Sequence, residues 1–337
     1  MSRVYVQGTG AVSPAGWGVP ALLSSLREES ALPVQNMARP RWEKPLPVRL
    51  VPPPPVRPAF LAHPRLRRAS AMTHYAVAAA LEALGPEAEM VRAGQTRLGI
   101  VACTLAGGLS YSRRFYEEIL QDPATCSPII FPETVFNSFA SHLASFLDSP
   151  AITYTLVGDA GTFLQGLAVG AGWLGNGLAD GCLVIGAEEP DWTAADALRL
   201  FDNRAIHASG AGALYLARRP MSARVELAAV TDAFAATRTL SRDAAARKVR
   251  AQLPPGAREE LLCASAGHDA AWKDWPGRRL TTAEVLGEAF TAAAAWQCVA
   301  ACEAVEHARC AAANVTITGA SLQAVGARFI RPHPPMT

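Results

Sequence analysis

Few residues of this chain have the types and spacing to do chemistry. Seven cysteines are scattered without a CxxC pair or a metal-like grouping with histidine. That distribution fits a reducing compartment, with thiols used as small buried apolar groups. Gly8-Thr9-Gly10 follows an apolar run and invites a dinucleotide-binding reading. The third glycine is missing at the required spacing, and no acidic residue closes a following strand. His142 reads as a structural, hydrogen-bonding histidine. His207 lies in a small-residue loop where a general-base role is conceivable. Asp159, at a turn before an apolar helix, reads first as an amino-terminal cap.

The elements that would position such groups centre on residues 151–189. Residues 152–157 are a β-rich run. Gly158-Asp159-Ala160-Gly161 is a turn whose glycines can take strained backbone angles. Residues 162–174 are apolar on nearly every face, which predicts a helix buried all round. Gly175-Asn176-Gly177 ends it with residues that tolerate left-handed geometry, and residues 181–187 are a short strand of the parallel-sheet kind. Upstream, residues 3–7 predict a strand at the amino terminus, leaving no visible signal peptide. Helices are expected over 17–29, 65–84 and 109–120, and a strand over 98–103. The proline-dense stretch 32–64 should be a long surface loop, neither helix nor inner strand. In the last of those helices Leu109, Ser112 and Tyr116 share one face. Strands are expected again at 225–231, 261–264, 314–318 and 324–330, with a long helical region over 286–307. Strand, turn, helix and strand thus occur twice.

The chain has 337 residues, of which 50% are hydrophobic and 18% charged, and its formal charge is +2. This is a globular composition with enough length for a large core. The charge gives no reason to expect a nucleic-acid or membrane partner. Arg65, Arg67 and Arg68 form one small basic cluster, read as a solvated or carboxylate-paired face.

The 151–189 stretch resembles the nucleophile elbow of the β-ketoacyl synthases, in the thiolase superfamily. Leu164-Gln165, Gly177-Leu178-Ala179-Asp180 and Gly186-Ala187-Glu188-Glu189 fall in register without a gap. The opening at 4–14 and the segments 131–142 and 201–217 are similar to family text as well. The resemblance implies an α/β, five-layer αβαβα fold of two pseudo-repeated halves, 1–220 and a shortened 221–337. It also places the family's nucleophilic cysteine at Ala160. The first family histidine falls on Ala266, or on His268 after a small shift. The second falls on Glu288, beside a retained Gly287.

Without thiolate and imidazoles, condensation and enolate stabilisation lose their groups. The resemblance therefore implies a chain-length factor, closest in character to those of type II polyketide or aryl polyene pathways. Such a factor has no cofactor and pairs in the cytoplasm with a catalytic ketosynthase that receives acyl groups from an acyl carrier protein. Leu109, Ser112, Tyr116 and Phe136 would then line the substrate tunnel or the subunit interface. The alternative is a stand-alone acyl hydrolase or decarboxylase using His207, His268 or Glu288, with Asp159 and Glu288 as an acidic pair. A third possibility is a scaffold homologue without a pocket.

Overall fold

The computed structural model describes residues 3–219, 225–265, 270–319 and 323–332. In chain order the first half runs β1 (Tyr5–Ser13), β2 (Gly16–Trp17), α1 (Val19–Glu28), β3 (Gln35–Met37), β4 (Leu46–Arg49), α2 (Ala71–Leu84), α3 (Glu87–Arg92) and β5 (Leu98–Thr104). It continues with α4 (Leu109–Gln121), α5 (Phe131–Thr134), α6 (Ser138–Phe146), β6 (Ile152–Val157), α7 (Gly161–Gly175), β7 (Gly181–Glu188), α8 (Trp192–Phe201), β8 (His207–Ala208) and β9 (Gly210–Ala217). The second half holds β10 (Val225–Val230), β11 (Phe234–Ala235), α9 (Arg242–Gln252), β12 (Glu260–Ala264), β13 (Arg279–Leu280), α10 (Thr282–Leu286), α11 (Phe290–Glu306), β14 (Ala312–Thr318) and β15 (Gln323–Ile330).

The strand order shows the internal repeat. One half-sheet runs β6-β5-β7-β9-β1 and the other β13-β12-β14-β15-β10. Parallel and antiparallel pairings follow the same sequence in both. β5 is parallel to β6 and β7, and β12 to β13 and β14, while the remaining pairs are antiparallel. Antiparallel pairing of β1 with β10 fuses the halves into one ladder.

Each half-sheet is apolar on both faces, as strands sandwiched between helices must be. Along β7, Leu183, Ile185 and Ala187 face an outer core with α2 and α6, whereas Cys182 and Val184 face the central one. The central core holds α7 and α11 between the two half-sheets, and a smaller core packs α9 against Leu262, Ala264 and Ala324. Three cores separate five layers, helix–sheet–helices–sheet–helix. No helix among the described residues is long and apolar enough to cross a membrane.

Several expected elements differ in detail. The 65–84 helix begins only at Ala71, because the Ser70 hydroxyl accepts from the Thr73 N–H at 3.2 Å and caps it there. The proline-dense stretch is not all loop. β4 is the middle strand of a three-stranded sheet between β3 and β8, with Leu46 and Val48 buried. Pairing on both sides is confined to Val48, since β8 meets only Val48 and Arg49. Pro47, inside β4, is paired on one side only, with Asn36 of β3. The 286–307 helix is broken at 287–289, where Gly287 takes φ +91°. Helix α7 is not buried all round. Gln165, Ala168, Val169, Gly172 and Trp173 are half-open on the flank beside β6, the last strand of the ladder.

Candidate functional site

The elbow between β6 and α7 forms as expected, but its glycines work differently. Neither Gly158 nor Gly161 has a positive φ. Gly161 instead permits close packing: a Cβ there would lie 2.7 Å from Gln323 Oε1 and 3.0 Å from Val325 Cγ1. Ala160 occupies the N-cap of α7 in ordinary helical geometry and is buried. The Asp159 carboxylate accepts from the Gly161 N–H at 3.2 Å and is buried against Gly319, so part of its role is to tie down the first turn.

Glu288 stands in the break between α10 and α11. Its N–H donates to Ile206 O and its carbonyl accepts from the Ala208 N–H, both at 2.8 Å, which docks the break on β8. Its half-buried carboxylate accepts from the Phe290 N–H at 2.7 Å. Burial lifts its pKa to about 7, and the charges of Asp159 and Asp202 add to the rise.

His207 is buried beside them, its ring 5.9 Å from that of Phe290. Neither ring nitrogen has a partner at hydrogen-bond geometry. Burial lowers its pKa to about 4 against the opposing pull of the Glu189 backbone and Asp191, so the imidazole is neutral.

In front of the elbow lies a cavity of about 400 Å³. Its walls come from Leu105, Ala106 and Leu109 after β5, Ala194, Leu198 and Phe201 on α8, and Phe290 at the start of α11. Asp159 and Thr193 are its polar members. Such a space suits a hydrocarbon chain and offers no nucleophile at the elbow.

Of the four residues expected at the tunnel or the subunit interface, only Leu109 lines this cavity. The Ser112 hydroxyl turns back to Gly108 O at 2.9 Å, Tyr116 is exposed, and Phe136 lies half-open with its ring against Gly107. His142 pairs with Glu133 at 2.5 Å, away from the cavity lining. Ala266 and His268 lie outside the described residues. Cys103, Cys182, Cys263, Cys298 and Cys302 are all buried and free, their thiols pushed up by burial.

The sequence reading missed the acidic scaffold that holds the site. Glu188 is buried and accepts from the Leu105 N–H at 2.7 Å, the Ala106 N–H at 3.2 Å and the hydroxyls of Thr104 at 3.3 Å and Thr291 at 2.8 Å. Glu189 accepts from Ser110 N–H and Oγ, at 2.5 and 3.0 Å, in the first turn of α4. Burial raises both carboxyls to about 7, opposed by those hydrogen bonds. Asp191 caps α8 and pairs with Arg113 at 3.1 Å. The signal was a tandem Glu closing a strand of otherwise apolar residues. Side chains alternate in a strand, so the two carboxyls serve opposite sides.

No family model and no curated protein sequence matches the chain. Solved structures do match along almost its whole length. A type II polyketide acyl-carrier protein in complex with its ketosynthase, AntDE:AntF, aligns with a TM-score of 0.80 at 15% identity over 98% of this chain and 99% of that one. The ishigamide ketosynthase/chain length factor gives 0.78 at 18% over 98% and 100%. The ketosynthase ApeO in complex with its chain length factor ApeC, from Xenorhabdus doucetiae, gives 0.76 at 12% over 98% of each chain. The chain has the ketosynthase-like thiolase fold. Within that fold the two-half topology and the central helix pair α7 and α11 have their expected places.

Proposed function

We propose that this chain is a non-catalytic, ketosynthase-like subunit, a chain-length factor. It pairs with an active β-ketoacyl synthase and shapes the tunnel that receives the growing acyl chain from an acyl carrier protein. The observation that carries this reading is Ala160 at the N-cap of α7, a side chain without a nucleophile at the head of an intact elbow over an apolar cavity. Two further observations support it. Strand β6 is unpaired on its outer edge and exposes Ile152, Tyr154 and Val157. Tyr116 and Phe136 are exposed too. Ketosynthase/chain length factor pairs also stand among its structural neighbours.

The test is co-expression with a complete ketosynthase. A stable complex is expected, with product length changed by Leu109→Ala. Failure to co-purify, together with unchanged products, overturns the reading.

One observation favours a second reading, a stand-alone acyl hydrolase or decarboxylase. The Glu288 carboxyl, raised to about 7 beside the elbow, is tuned to the range of a general acid or base. Turnover of acyl or malonyl thioesters by the chain purified alone, abolished by Glu288→Gln, would favour it over the first.

A further inference from the structure

We propose that Phe290 is the movable inner wall of the cavity and sets the longest unbranched, neutral hydrocarbon chain the cavity takes. This deepens the chain-length reading, because the chain received there would be the acyl chain.

The exposure of the lining gives the cavity a direction. Ala197 and Phe201 are exposed and form the mouth, whereas Ala194, Leu198, Asp159 and Phe290 are buried and form the inner end. Behind Phe290 lies His207, which is buried, does not line the cavity and has both ring nitrogens without a partner. One aromatic ring thus divides an apolar space from a buried imidazole whose polar neighbours are the Glu189 backbone and Asp191.

The backbone of that ring is unusual. Among the described residues five non-glycine residues have positive φ: Glu29, Arg41, Asp148, Phe290 and Ala308. All but Phe290 are exposed, where strain is easily relieved. Phe290, at φ +45°, is buried and held by its N–H on the Glu288 carboxylate at 2.7 Å. A bulky residue keeps such a conformation only where its surroundings impose it. It is also the first residue of α11, so its backbone can relax without breaking the helix behind it. Asp159 in the inner wall, with the Glu288 carboxylate behind Phe290, disfavours an anionic leading end. The occupant's leading end is therefore uncharged hydrocarbon.

The experiment uses the full chain and linear fatty alcohols of increasing length, followed by calorimetry and by NMR of the His207 imidazole. Each added methylene should tighten binding about fourfold until the chain meets Phe290, where the gain stops. In the unsubstituted protein the His207 resonances should stay unmoved up to that length. Phe290→Ala should carry the gain to longer chains and make His207 respond. Phe290→Leu, a gentler change for the case where alanine does not fold, should carry it part of the way. The same limiting length in all three proteins, with His207 unmoved, overturns the proposal. Pairing with a ketosynthase is scored separately. A limit that moves in a chain that pairs with nothing keeps this inference and removes the chain-length reading; pairing with a fixed limit does the reverse.

Discussion

The hydroxyl of Thr291 donates to the carboxylate of Glu188 at 2.8 Å across a sequence separation of 103 residues, joining the start of α11 to the end of β7. The same carboxylate collects the amides of Leu105 and Ala106, so one side chain fastens three walls of the site. The two amides can only donate. Glu188→Gln would set an amide NH₂ among them and should cost about 1–3 kcal/mol. Glu188→Ala, which leaves the Leu105 and Ala106 amides unmet, should cost more, and Thr291→Val about 1 kcal/mol. Urea unfolding of the three variants orders them.

The buried ionisable groups also fix a pH dependence. Glu188 and Glu189 rise from an ordinary 4.5 to about 7 in the folded chain. Between those values the folded protein holds protons that the unfolded chain has released. Their contribution is therefore complete below about 4.5 and is lost as pH climbs to about 7, roughly 3 kcal/mol for each carboxyl. His207 opposes them, since its pKa falls from 6.5 to about 4 and its neutral form is the folded one. It gains stability as pH rises through that window. Two carboxyls outweigh one imidazole, and half-open Glu288 adds in the carboxyls' direction. Urea stability should fall between pH ~5 and ~7, and Glu188→Gln should flatten the fall.

Gly8 and Gly10 illustrate a motif with a purely structural cause. A Cβ at Gly10 would lie 1.9 Å from the backbone oxygen of Ala79, and one at Gly8 would lie 2.1 Å from that of Ala83. The pair exists so that α2 can lie directly on β1. Gly10→Ala should destabilise the chain by about 3 kcal/mol or prevent folding, read by thermal unfolding.

How much of this was legible follows from how local each feature is. Helix α7, strand β7 and the elbow could be read because their apolar periods and the left-handed Gly177 that follows α7 lie within one stretch. The second half could be read as a weaker copy for the same reason. The Glu188 network could not, because Thr104, Glu188 and Thr291 meet only once β5, β7 and α11 are stacked. Ser112 and Tyr116 share a helical face with Leu109, yet the helix presents only its first turn to the cavity. Periodicity fixes a face and leaves its neighbours open. Likewise β4 hid among prolines because two residues of β8, far along the chain, supply its second partner.

Ala160→Cys would place a thiol at the elbow. A thiol at a helix N-terminus is ordinarily acidic, but here Asp159 is buried alongside and the Glu288 carboxylate feels its charge. The variant should fold, stay unacylated by acyl thioesters and react slowly with iodoacetamide at neutral pH. Rapid self-acylation in a mass-spectrometric time course would contradict this account of the elbow.

A lysine in place of Tyr154, exposed at the middle of β6, should leave the stability of the isolated chain within about 0.5 kcal/mol. The same change should abolish complex formation with a ketosynthase, since charge on an open edge blocks strand addition. Size-exclusion chromatography of wild type and variant, each mixed with the ketosynthase, makes the comparison.

The two ends of the ladder are not equivalent. β6 offers six residues of open edge, whereas β13 at the opposite end offers two. A body with one adhesive end and one blunt end can be joined once and then has nothing left to propagate. The two-residue β13 thus acts as a stop against fibre growth at that end of the ladder.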